Sequence, residues 1–401
     1  MVVARTVLVV YNRYLSRGGE DEVFEAEVEL LRRHDWNVVP VTASPDPSSV
    51  LQLTKAATNV VWSIGWHRKI RQLVQIYRPQ IVHLHNTFPT MSPAVVHAAR
   101  EGGAAVVHTL HNYRVVCPNA MCFRDDHPCE DCVGRALAWP GVLHRCYKGS
   151  SLLTSGVAAS TAVHRLLRTW QEWVDVYISP SSFSRDLLTR GGIPEDKVSV
   201  KPNFVLSDPG VGEHDGDFCL FVGRLSSAKG VQTLLRAWAN LEIPLKIVGD
   251  SPTSQDPVPR FRADAPRVEF LGRASRTETL QMMRESRFLV MPSEWYEVSP
   301  LTILEAYACG LPVVASRLGA MTEFVDEGRT GLLFTSADAT DLAMKVDWAW
   351  RHPEEMTVMG REARRIYESR HTPELNYRIL AGIYELAIER RLFSRSRGRR
   401  A

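Results

Sequence analysis

Short runs of aliphatic and β-branched residues alternate along the first half of the chain with longer amphipathic segments. The segments with helical spacing are Glu22–His34, Ile70–Tyr77 and Pro93–Arg100. The strand-like runs are Thr6–Val10, Val38–Val41, Ile81–Leu84, Ala105–Leu110, Val176–Ile178 and Val198–Val200. Because a helix between two strands brings the chain back to the same edge, this alternation predicts a parallel sheet with helices on both faces.

The same alternation restarts after a polar, breaker-rich segment, Ser207–Glu213, which we interpret as a linker. The later strand-like runs are Phe218–Val222, Leu245–Val248, Val268–Phe270, Phe288–Met291 and Pro312–Ala315. We therefore expect two doubly wound α/β domains, at residues 1–206 and 207–373, followed by a C-terminal helix and basic tail at 374–401. The length of 401 residues agrees, since single cores rarely exceed about 300 residues.

The bulk composition excludes several classes of protein. A net charge of +3 is nearly balanced, so we expect no nucleic-acid partner. No apolar run approaches the roughly 20 residues that a membrane-spanning helix needs. The opening Met1–Val10 predicts a strand rather than a secretion signal. The sequence therefore predicts a cytoplasmic protein.

A glycine-bounded basic loop, Gly223–Gly230, follows the strand-like run Phe218–Val222. It carries Arg224 and Lys229 and leads into a predicted helix. A bound diphosphate needs this combination, because backbone donors and a helix N-terminus hold its oxygens while Arg and Lys neutralise its charge. The alternative is a solvated basic loop.

Two carboxylates, Glu297 and Glu305, stand eight positions apart around Pro300, a plausible first residue of a helix. This spacing predicts Glu297 in a loop and Glu305 inside the helix. The backbone N–H groups of the same turn would form an anion site, at Ser299, Leu301 and Thr302. The alternative is a helix-capping cluster, which explains the serine and proline but not the acid among apolar neighbours.

With these residues in view, the C-terminal half resembles family 4 of the retaining glycosyltransferases, which share the GT-B fold of two Rossmann-like domains facing across a cleft. The matching segments are Val222–Leu225 with Lys229-Gly230, Ile247–Asp250, Val268–Gly272, Glu297 with Glu305, and Glu305–Ala315. The N-terminal half is similar through Gly18–Glu20, Ile81–Asn86 and Thr109–Tyr113. Together the matches span residues 6 to about 385, and their order is more specific than any one of them.

The resemblance implies a donor-binding role for the C-terminal domain. Gly223, Arg224 and Lys229 would hold the diphosphate of a nucleotide sugar. Glu305 would accept hydrogen bonds from the ribose hydroxyls. The strand end around Leu271 would frame the base, mostly through its backbone.

Other residues would lie nearer the reacting atoms. The resemblance implies that Glu297 contacts sugar hydroxyls, that His111 lies beside the reacting sugar, and that Gly19 lets the backbone approach the phosphate or acceptor. A packed strand-end histidine is the alternative for His111, and His83 and His85 are interpreted as structural. The family's usual Asp-Gly-Pro is here Asp250-Ser251-Pro252, which keeps the donor-site acid.

The implied reaction is sugar transfer with retention at the anomeric carbon, onto a hydroxyl of a glycan, a lipid-linked saccharide or a small metabolite. No second carboxylate presents itself as a nucleophile, so front-face displacement assisted by the leaving diphosphate fits better. Arg224, Lys229, Glu297 and His111 are the expected catalytic residues. We expect no metal and no cofactor beyond the nucleotide sugar, because Arg224 and Lys229 supply the positive charge.

Two other functions remain open. The chain could be a nucleotide-sugar epimerase of the same fold, or a non-catalytic sugar-nucleotide-binding adaptor at a membrane. The sequence argues against a dehydrogenase, because no Gly-x-Gly-x-x-Gly follows a strand.

Five of the seven cysteines fall within the loop 117–146 of the predicted N-terminal domain. In a reducing compartment this clustering argues against a disulfide framework. Cys129 and Cys132 have zinc-ligand spacing, and Cys117 and Cys146 could complete a tetrahedral site. Buried apolar cysteines are the alternative, so we assign no metal site.

Six arginines crowd the last dozen residues, together with Leu392 and Phe393. One interpretation is a solvated, disordered tail. The other is peripheral attachment to an anionic membrane surface, which basic residues would strengthen.

Overall fold

A computed structural model of the protein describes residues 5–14, 17–44, 59–250 and 267–398. The chain forms two compact units. The first consists of residues 1–122, 130–202 and 376–401, and the second of residues 123–129 and 203–375. The second unit thus begins shortly before the predicted boundary at residue 207, and the chain returns to the first unit at Asn376.

Strands and helices alternate through the N-terminal part as the sequence pattern predicts. The described strands before residue 203 are β1 (Thr6–Asn12), β2 (Asn37–Ala43), β3 (Ile81–Asn86), β4 (Ala105–Thr109), β5 (Phe123–Arg124), β6 (His127–Pro128), β7 (Val176–Ser179) and β8 (Val198–Val200). The described helices are α1 (Gly19–Arg33), α2 (Ile64–Tyr77), α3 (Ala94–Glu101), α4 (Trp139–Leu143), α5 (Ser151–Leu166) and α6 (Ser182–Arg190).

The first unit is built on one parallel sheet with the strand order β2-β1-β3-β4-β7-β8. All residues of β1, β3 and β4 are buried, as expected for strands covered by helices on both faces. The order reverses between β1 and β3, so the loops after these strands diverge at the carboxyl edge of the sheet. Strands β5 and β6 form a separate antiparallel pair that belongs with the second unit.

The second unit repeats the α/β alternation. Its strands are β9 (Cys219–Val222), β10 (Leu245–Val248), β11 (Val268–Gly272), β12 (Leu289–Met291), β13 (Val313–Ser316) and β14 (Gly331–Phe334). Its described helices are α7 (Val231–Trp238), α8 (Arg276–Glu285), α9 (Leu301–Ala308), α10 (Met321–Phe324), α11 (Ala339–Arg351) and α12 (Pro353–Arg370). The parallel sheet has the order β11-β10-β9-β12-β13-β14, which reverses between β9 and β12.

Two apolar clusters cover the opposite faces of the second sheet. One contains Trp238 of α7 and Phe288, and the other contains Leu304 and Tyr307 of α9. The segment predicted as a linker is part of this unit, because Asp208 Oδ2 accepts a hydrogen bond from Arg364 Nη2 of α12 at 2.6 Å. The prediction of two doubly wound parallel sheets is confirmed.

The C-terminal helix α13 (Pro373–Gly398) completes the core of the first unit through Leu380 and Tyr384. It includes the basic residues that the sequence assigned to a tail. Arg390 Nη1 donates to the carbonyl oxygen of Asp175 at 3.1 Å, and Arg391 donates to the carbonyl oxygen of Arg100. The interpretation of this stretch as disordered chain is therefore wrong up to residue 398, whereas Arg399 and Arg400 lie outside the described residues.

Candidate functional site

The loops after β9 and β12 lie side by side, because the second sheet reverses its strand order between these strands. The β9 loop passes through a short 3₁₀ turn, Ser227–Lys229, and reaches α7 at Gly230, whose φ is +69°. A Cβ on Gly230 would lie 1.8 Å from the carbonyl oxygen of Pro292 in the β12 loop. Only glycine permits this backbone conformation and this close approach.

The β10 loop contacts the β9 loop in the same manner. Gly249 has a φ of +149°, and a Cβ there would lie 1.8 Å from the carbonyl oxygen of Gly223. Leu225 N donates to the carbonyl oxygen of Asp250 at 2.9 Å, which fixes the two loops together, and the Asp250 side chain is exposed. The positions where the sequence departs from the family motif, Ser251 and Pro252, lie outside the described residues.

Glu297 is buried in the β12 loop, where one of its oxygens accepts three hydrogen bonds. Lys229 Nζ donates to Glu297 Oε1 at 2.5 Å, and Ser293 Oγ and Trp295 Nε1 donate to the same oxygen at 2.8 Å each. The Lys229 side chain is 19% exposed. The structure therefore joins two residues, for which the sequence predicted separate roles, in an ion pair whose carboxylate is buried.

Arg224 is exposed at the start of the β9 loop. Among the residues that the structure describes, none forms a hydrogen bond or an ion pair with its guanidinium group. An unpaired cation beside an ordered Lys–Glu pair is available to an anionic ligand.

Helix α9 begins at Leu301, so Pro300 is its N-cap and the helix starts one residue later than predicted. In its first turn the N–H groups of Leu301 and Thr302 precede the first intrahelical bond, which Ile303 N makes to Pro300 O at 3.1 Å. Ser299 is engaged by Asn203, whose side-chain Nδ2 donates to the Ser299 carbonyl oxygen at 3.1 Å. The loop before α9 is thus fixed from within the second unit.

Glu305 occupies the second turn of α9, and its carboxylate lies 3.0 Å from Arg276 Nη2 of α8. This partner was not predicted, because nothing in the sequence marks Arg276 among the many basic residues. Leu271, at the end of β11, is exposed. An exposed side chain at a strand end is available for contact with a ligand.

In the first unit, His111 follows β4 and stacks on His85, which is part of β3. His111 Nε2 lies 2.9 Å from His85 Nδ1. Burial lowers the pKa of His111 well below its ordinary value, and the neighbouring His85 adds to this effect. His111 is therefore neutral at pH 7, and it has a specific partner rather than apolar packing alone.

Gly19 is the first residue of α1, and its neighbour Glu20 connects it to the β4 loop. Asn112 Nδ2 donates to Glu20 Oε1 at 2.9 Å and to the Tyr14 hydroxyl at 3.2 Å. The loops that carry Gly19 and His111 are therefore neighbours at the carboxyl edge of the first sheet.

A cavity of about 60 Å³ opens in the first unit beside these loops. Its polar lining includes His85, His111, Asn112 and Arg114, and its apolar lining includes Val157 and Trp170. The combination of an apolar wall with a few polar groups is typical of a small-molecule site.

Among the residues that the structure describes, no three cysteine sulfurs lie within 4.8 Å of one another. All seven cysteines are within the described residues. In this part of the chain, the side chains that could bind a metal ion together, with ligand atoms within 4.8 Å of one another, are Glu27, His83 and His85. Cys117 instead donates to Asn119 Oδ1 at 3.0 Å. Hydrogen bonding by Cys122 lowers the pKa of the Cys117 thiol to about 6. The tetrathiolate zinc interpretation is not supported by this arrangement.

Two families of known proteins match successive stretches of the chain. Residues 17–208 match Glycosyltransferase Family 4, and residues 216–352 match Glycosyl transferases group 1. The chain belongs to glycosyltransferase family 4. The two matched ranges contain every loop described above, from Gly19 and His111 in the first unit to Arg224, Glu297 and Glu305 in the second.

Curated relatives of this family-4 chain are similar over part of their length. It is 30% identical over 158 residues to the D-rhamnosyltransferase WbpZ of Pseudomonas aeruginosa, covering 39% of this chain and 42% of that protein. It is 31% identical over 212 residues to the D-inositol 3-phosphate glycosyltransferase of Pseudarthrobacter chlorophenolicus, covering 46% and 49%. The matched region spans less than half the length of each relative.

A solved structure shares the fold over nearly the whole chain. HepE from Anabaena, crystallised in complex with UDP-glucose, superposes with a TM-score of 0.69 over 95% of this chain and 99% of HepE, at 16% sequence identity. At this identity the likeness concerns the fold, which is GT-B.

Proposed function

We propose that the protein transfers a sugar, with retention of anomeric configuration, from a nucleoside-diphosphate sugar to a hydroxyl acceptor. The observation that carries the proposal is the partly buried pair Lys229–Glu297, with the unpaired Arg224 on the same loop as Lys229. Fixed cations at the carboxyl edge of a doubly wound sheet are suited to a diphosphate.

Lys229 and Arg224 would have different roles in binding the diphosphate. Lys229 is held in place by Glu297, so it can meet the developing negative charge on the leaving diphosphate without reorganising. Arg224 is exposed and can close on the same group when the donor binds. We propose that these two side chains replace a metal ion and that no further cofactor is required.

The reaction forms one bond and breaks one bond at the anomeric carbon. The acceptor oxygen attacks from the face that the diphosphate leaves, the bond between the anomeric carbon and the phosphate oxygen breaks, and the acceptor proton passes to that phosphate oxygen. The chain's residues hold the two oxygens close and stabilise the leaving charge. Glu305 and Glu297 would contact the ribose and sugar hydroxyls, and His111 the reacting sugar.

The relatives suggest where to begin with substrates. HepE has been crystallised with UDP-glucose, and the curated relatives include a D-rhamnosyltransferase and a D-inositol 3-phosphate glycosyltransferase. We propose UDP-, GDP- and ADP-linked hexoses as the first donors to test. The acceptor is a glycan, a lipid-linked saccharide or a small metabolite.

Release of nucleoside diphosphate, measured with each donor in the presence and absence of acceptors, tests this proposal. A transferase releases the diphosphate faster when its acceptor is present. An epimerase changes the donor sugar with or without acceptor, and a binding adaptor releases nothing. Either of these outcomes would overturn the proposal.

We further propose that the enzyme works in the cytoplasm with peripheral contact to an anionic membrane through the end of α13. Leu392, Phe393 and Arg395 are exposed there, although Arg390 and Arg391 are bound to backbone carbonyl groups. Apolar and basic side chains together favour an anionic lipid surface. Among the described residues, no helix has both the length and the apolar content to span a bilayer.

A further inference from the structure

A chain of polar groups leads from His111 into the interior of the first unit. His111 Nε2 lies 2.9 Å from His85 Nδ1, and His85 Nε2 lies 3.6 Å from Glu27 Oε1. On its other side, Glu27 Oε2 accepts a hydrogen bond from Lys201 Nζ at 3.0 Å, and Lys201 Nζ also donates to Asn376 Oδ1 at 3.0 Å. Glu27, His85 and Lys201 are each at most 2% exposed. Burying a carboxylate and an ammonium group costs desolvation free energy unless the two groups pair with each other, as they do here.

Two ring nitrogens lie near Glu27 Oε1: His83 Nδ1 at 3.0 Å, without hydrogen-bond geometry, and His85 Nε2 at 3.6 Å. Among the described residues, His85 Nε2 and Glu27 Oε1 are buried polar atoms without a hydrogen-bond partner of good geometry. Their separation of 3.6 Å is too long for a hydrogen bond. Catalytic hydrogen bonds are often long in a ligand-free site and shorten when substrate binds. His83 Nδ1 already contacts the Tyr384 hydroxyl at 2.8 Å, which leaves His85 Nε2 as the ring nitrogen available to Glu27 Oε1.

The charge state of Glu27 determines which atoms donate and which accept in this row of polar groups. Burial alone would raise the pKa of Glu27, but Lys201 and then His83 overcome it and hold the pKa well below the ordinary value. An ionised carboxylate only accepts hydrogen bonds, so the His85 proton belongs on Nε2. Because Lys201 is already the counterion of Glu27, a second cation at His85 would be buried without one. A neutral His85 has one N–H group, which leaves its Nδ1 as an acceptor.

The same logic passes to His111. His85 Nδ1 can accept only if His111 Nε2 carries the proton, and His111 is neutral because burial lowers its pKa. The other ring nitrogen of His111, Nδ1, then has a lone pair. His111 is part of the lining of the first unit's cavity.

We propose that Glu27 and His85 are positioning residues that hold His111 in the Nε2-protonated tautomer, so that its Nδ1 accepts a hydrogen bond from a hydroxyl of the bound sugar or acceptor. This inference rests on the proposed function for the identity of the ligand, whereas the tautomer itself does not depend on it. Glu27 acts through His85, in the way that a buried carboxylate orients the histidine of a hydrolase triad.

A metal ion is the competing occupant of this cluster. The ligand atoms of Glu27, His83 and His85 lie within 4.8 Å of one another. However, Lys201 already supplies a positive charge at 3.0 Å from Glu27, and His83 Nε2 and Nδ1 contact the hydroxyls of Thr109 and Tyr384 at 2.7 and 2.8 Å. A divalent cation would have to lie beside a buried ammonium group, which disfavours binding.

The test is the tautomeric state of His111, read by long-range ¹H–¹⁵N correlation on the full chain with ¹⁵N-labelled histidine. The wild-type protein at about pH 7.5 is expected to show His111 protonated on Nε2 and His85 also protonated on Nε2. His85→Phe keeps a ring in place but removes the acceptor, and it is expected to give His111 as a mixture of both tautomers. Glu27→Gln with Lys201→Met removes the carboxylate and its counterion together, so that no buried charge is left unpaired. In this double variant His85 is expected to be a mixture of both tautomers.

His97→Gln is the matched control, because His97 is also a buried histidine of this unit, bonded to Thr169 Oγ1 at 2.8 Å. It should leave the His111 tautomer unchanged. His111 protonated on Nδ1 in the wild-type protein, or an unchanged tautomer in His85→Phe, would overturn the proposal. One equivalent of tightly bound metal, found by elemental analysis of the purified protein, would overturn it as well.

Turnover separates this inference from the proposed function. Once a donor is known, His85→Phe should lower kcat by about 10- to 100-fold with little change in the KM of the donor, because orientation and not binding is lost. The expected tautomer in a protein that transfers no sugar would contradict the proposed function alone. The opposite tautomer in an active enzyme would contradict this inference alone.

Discussion

Lys229 Nζ lies 2.5 Å from Glu297 Oε1, and this pair joins the loops after β9 and β12 at the position where the second sheet reverses its strand order. The pair is sheltered from solvent on the carboxylate side, since Glu297 is only 5% exposed. The pair therefore both stabilises the conformation of these loops and fixes a positive charge at the edge of the sheet.

This double role predicts different results for the two cations. Arg224→Ala should lower kcat by about 100-fold without changing the melting temperature, because the side chain is exposed and, within the described residues, unpaired. Lys229→Ala should lower both kcat and the melting temperature, because it also leaves the buried Glu297 carboxylate without its counterion.

Arg361→Ala is the matched control, since Arg361 is an exposed arginine of the same unit. It should keep both activity and melting temperature. Turnover close to wild type in purified Arg224→Ala would remove Arg224 from the site. An unchanged melting temperature in Lys229→Ala would show that the pair does not stabilise the loops.

A second prediction concerns the glycine at the start of α7. Gly230→Ala should weaken nucleotide binding and lower the melting temperature, because its Cβ would meet the Pro292 carbonyl oxygen at 1.8 Å and its φ of +69° is unfavourable for alanine. Gly156→Ala in α5, where the added Cβ would meet nothing within 4 Å, should be neutral or slightly stabilising. Calorimetric titration with UDP and GDP reports the binding. A Gly230→Ala protein with wild-type stability and affinity would contradict the described contact.

Buried histidines predict how stability depends on pH. Burial lowers the pKa of His108 to about 3, whereas a histidine in an unfolded chain titrates near 6.5. As pH falls below about 6.5, His108 binds a proton in the unfolded chain but not in the folded protein. The free energy of unfolding therefore decreases until about pH 3. The melting temperature should therefore decrease from about pH 7 to about pH 4.

His108→Phe should make this decrease shallower, because the variant removes the group whose pKa differs between the folded and unfolded states. His144→Gln, at an exposed histidine of the same unit, should leave the slope as it is in the wild-type protein. Equal slopes in all three proteins would show that His108 does not contribute to the pH dependence.

The end of α13 gives a prediction for membrane contact. Leu392→Ser with Phe393→Ser should abolish flotation with anionic vesicles at low salt, since both side chains are about 60% exposed. The wild-type protein should float and should lose this binding as salt is raised. Truncation after Glu389 is a less specific test, because it also removes the contacts of Arg390 with the first unit.

Ile379→Ser, at an exposed apolar position on the same helix, is the control and should float like the wild-type protein. Flotation of the double variant at the wild-type level would mean that this surface does not bind lipid.

The sequence was sufficient to predict the two sheets and the loops that carry Arg224, Lys229 and Glu297. Parallel strands bring their carboxyl ends to one edge, so residues just after strands become neighbours whatever their separation along the chain. The strand β14 was missed, because Gly331–Phe334 is four residues long and begins with a glycine, which is a weak strand signal.

What the sequence could not predict are contacts that depend on packing between elements. Arg276 reaches Glu305 only because α8 and α9 are neighbours, and no spacing rule links them. The sequence predicts a structural role for His85, whereas in the structure His85 contacts His111 directly. The basic stretch after Glu389 has the composition of a tail, but its arginines find backbone carbonyl groups of the first unit and the helix continues.

We propose that Arg224 and the Lys229–Glu297 pair act on the diphosphate of a sugar donor. The most direct measurement is nucleoside diphosphate release from UDP-, GDP- and ADP-hexoses by the wild-type protein, Arg224→Ala and Arg361→Ala, with the anomeric configuration of the product read by ¹H NMR. We predict that one donor class is consumed, that the product retains the donor's configuration, and that Arg224→Ala releases at least about 100-fold less diphosphate than Arg361→Ala. Equal release by the two variants, or an inverted product, would contradict the account.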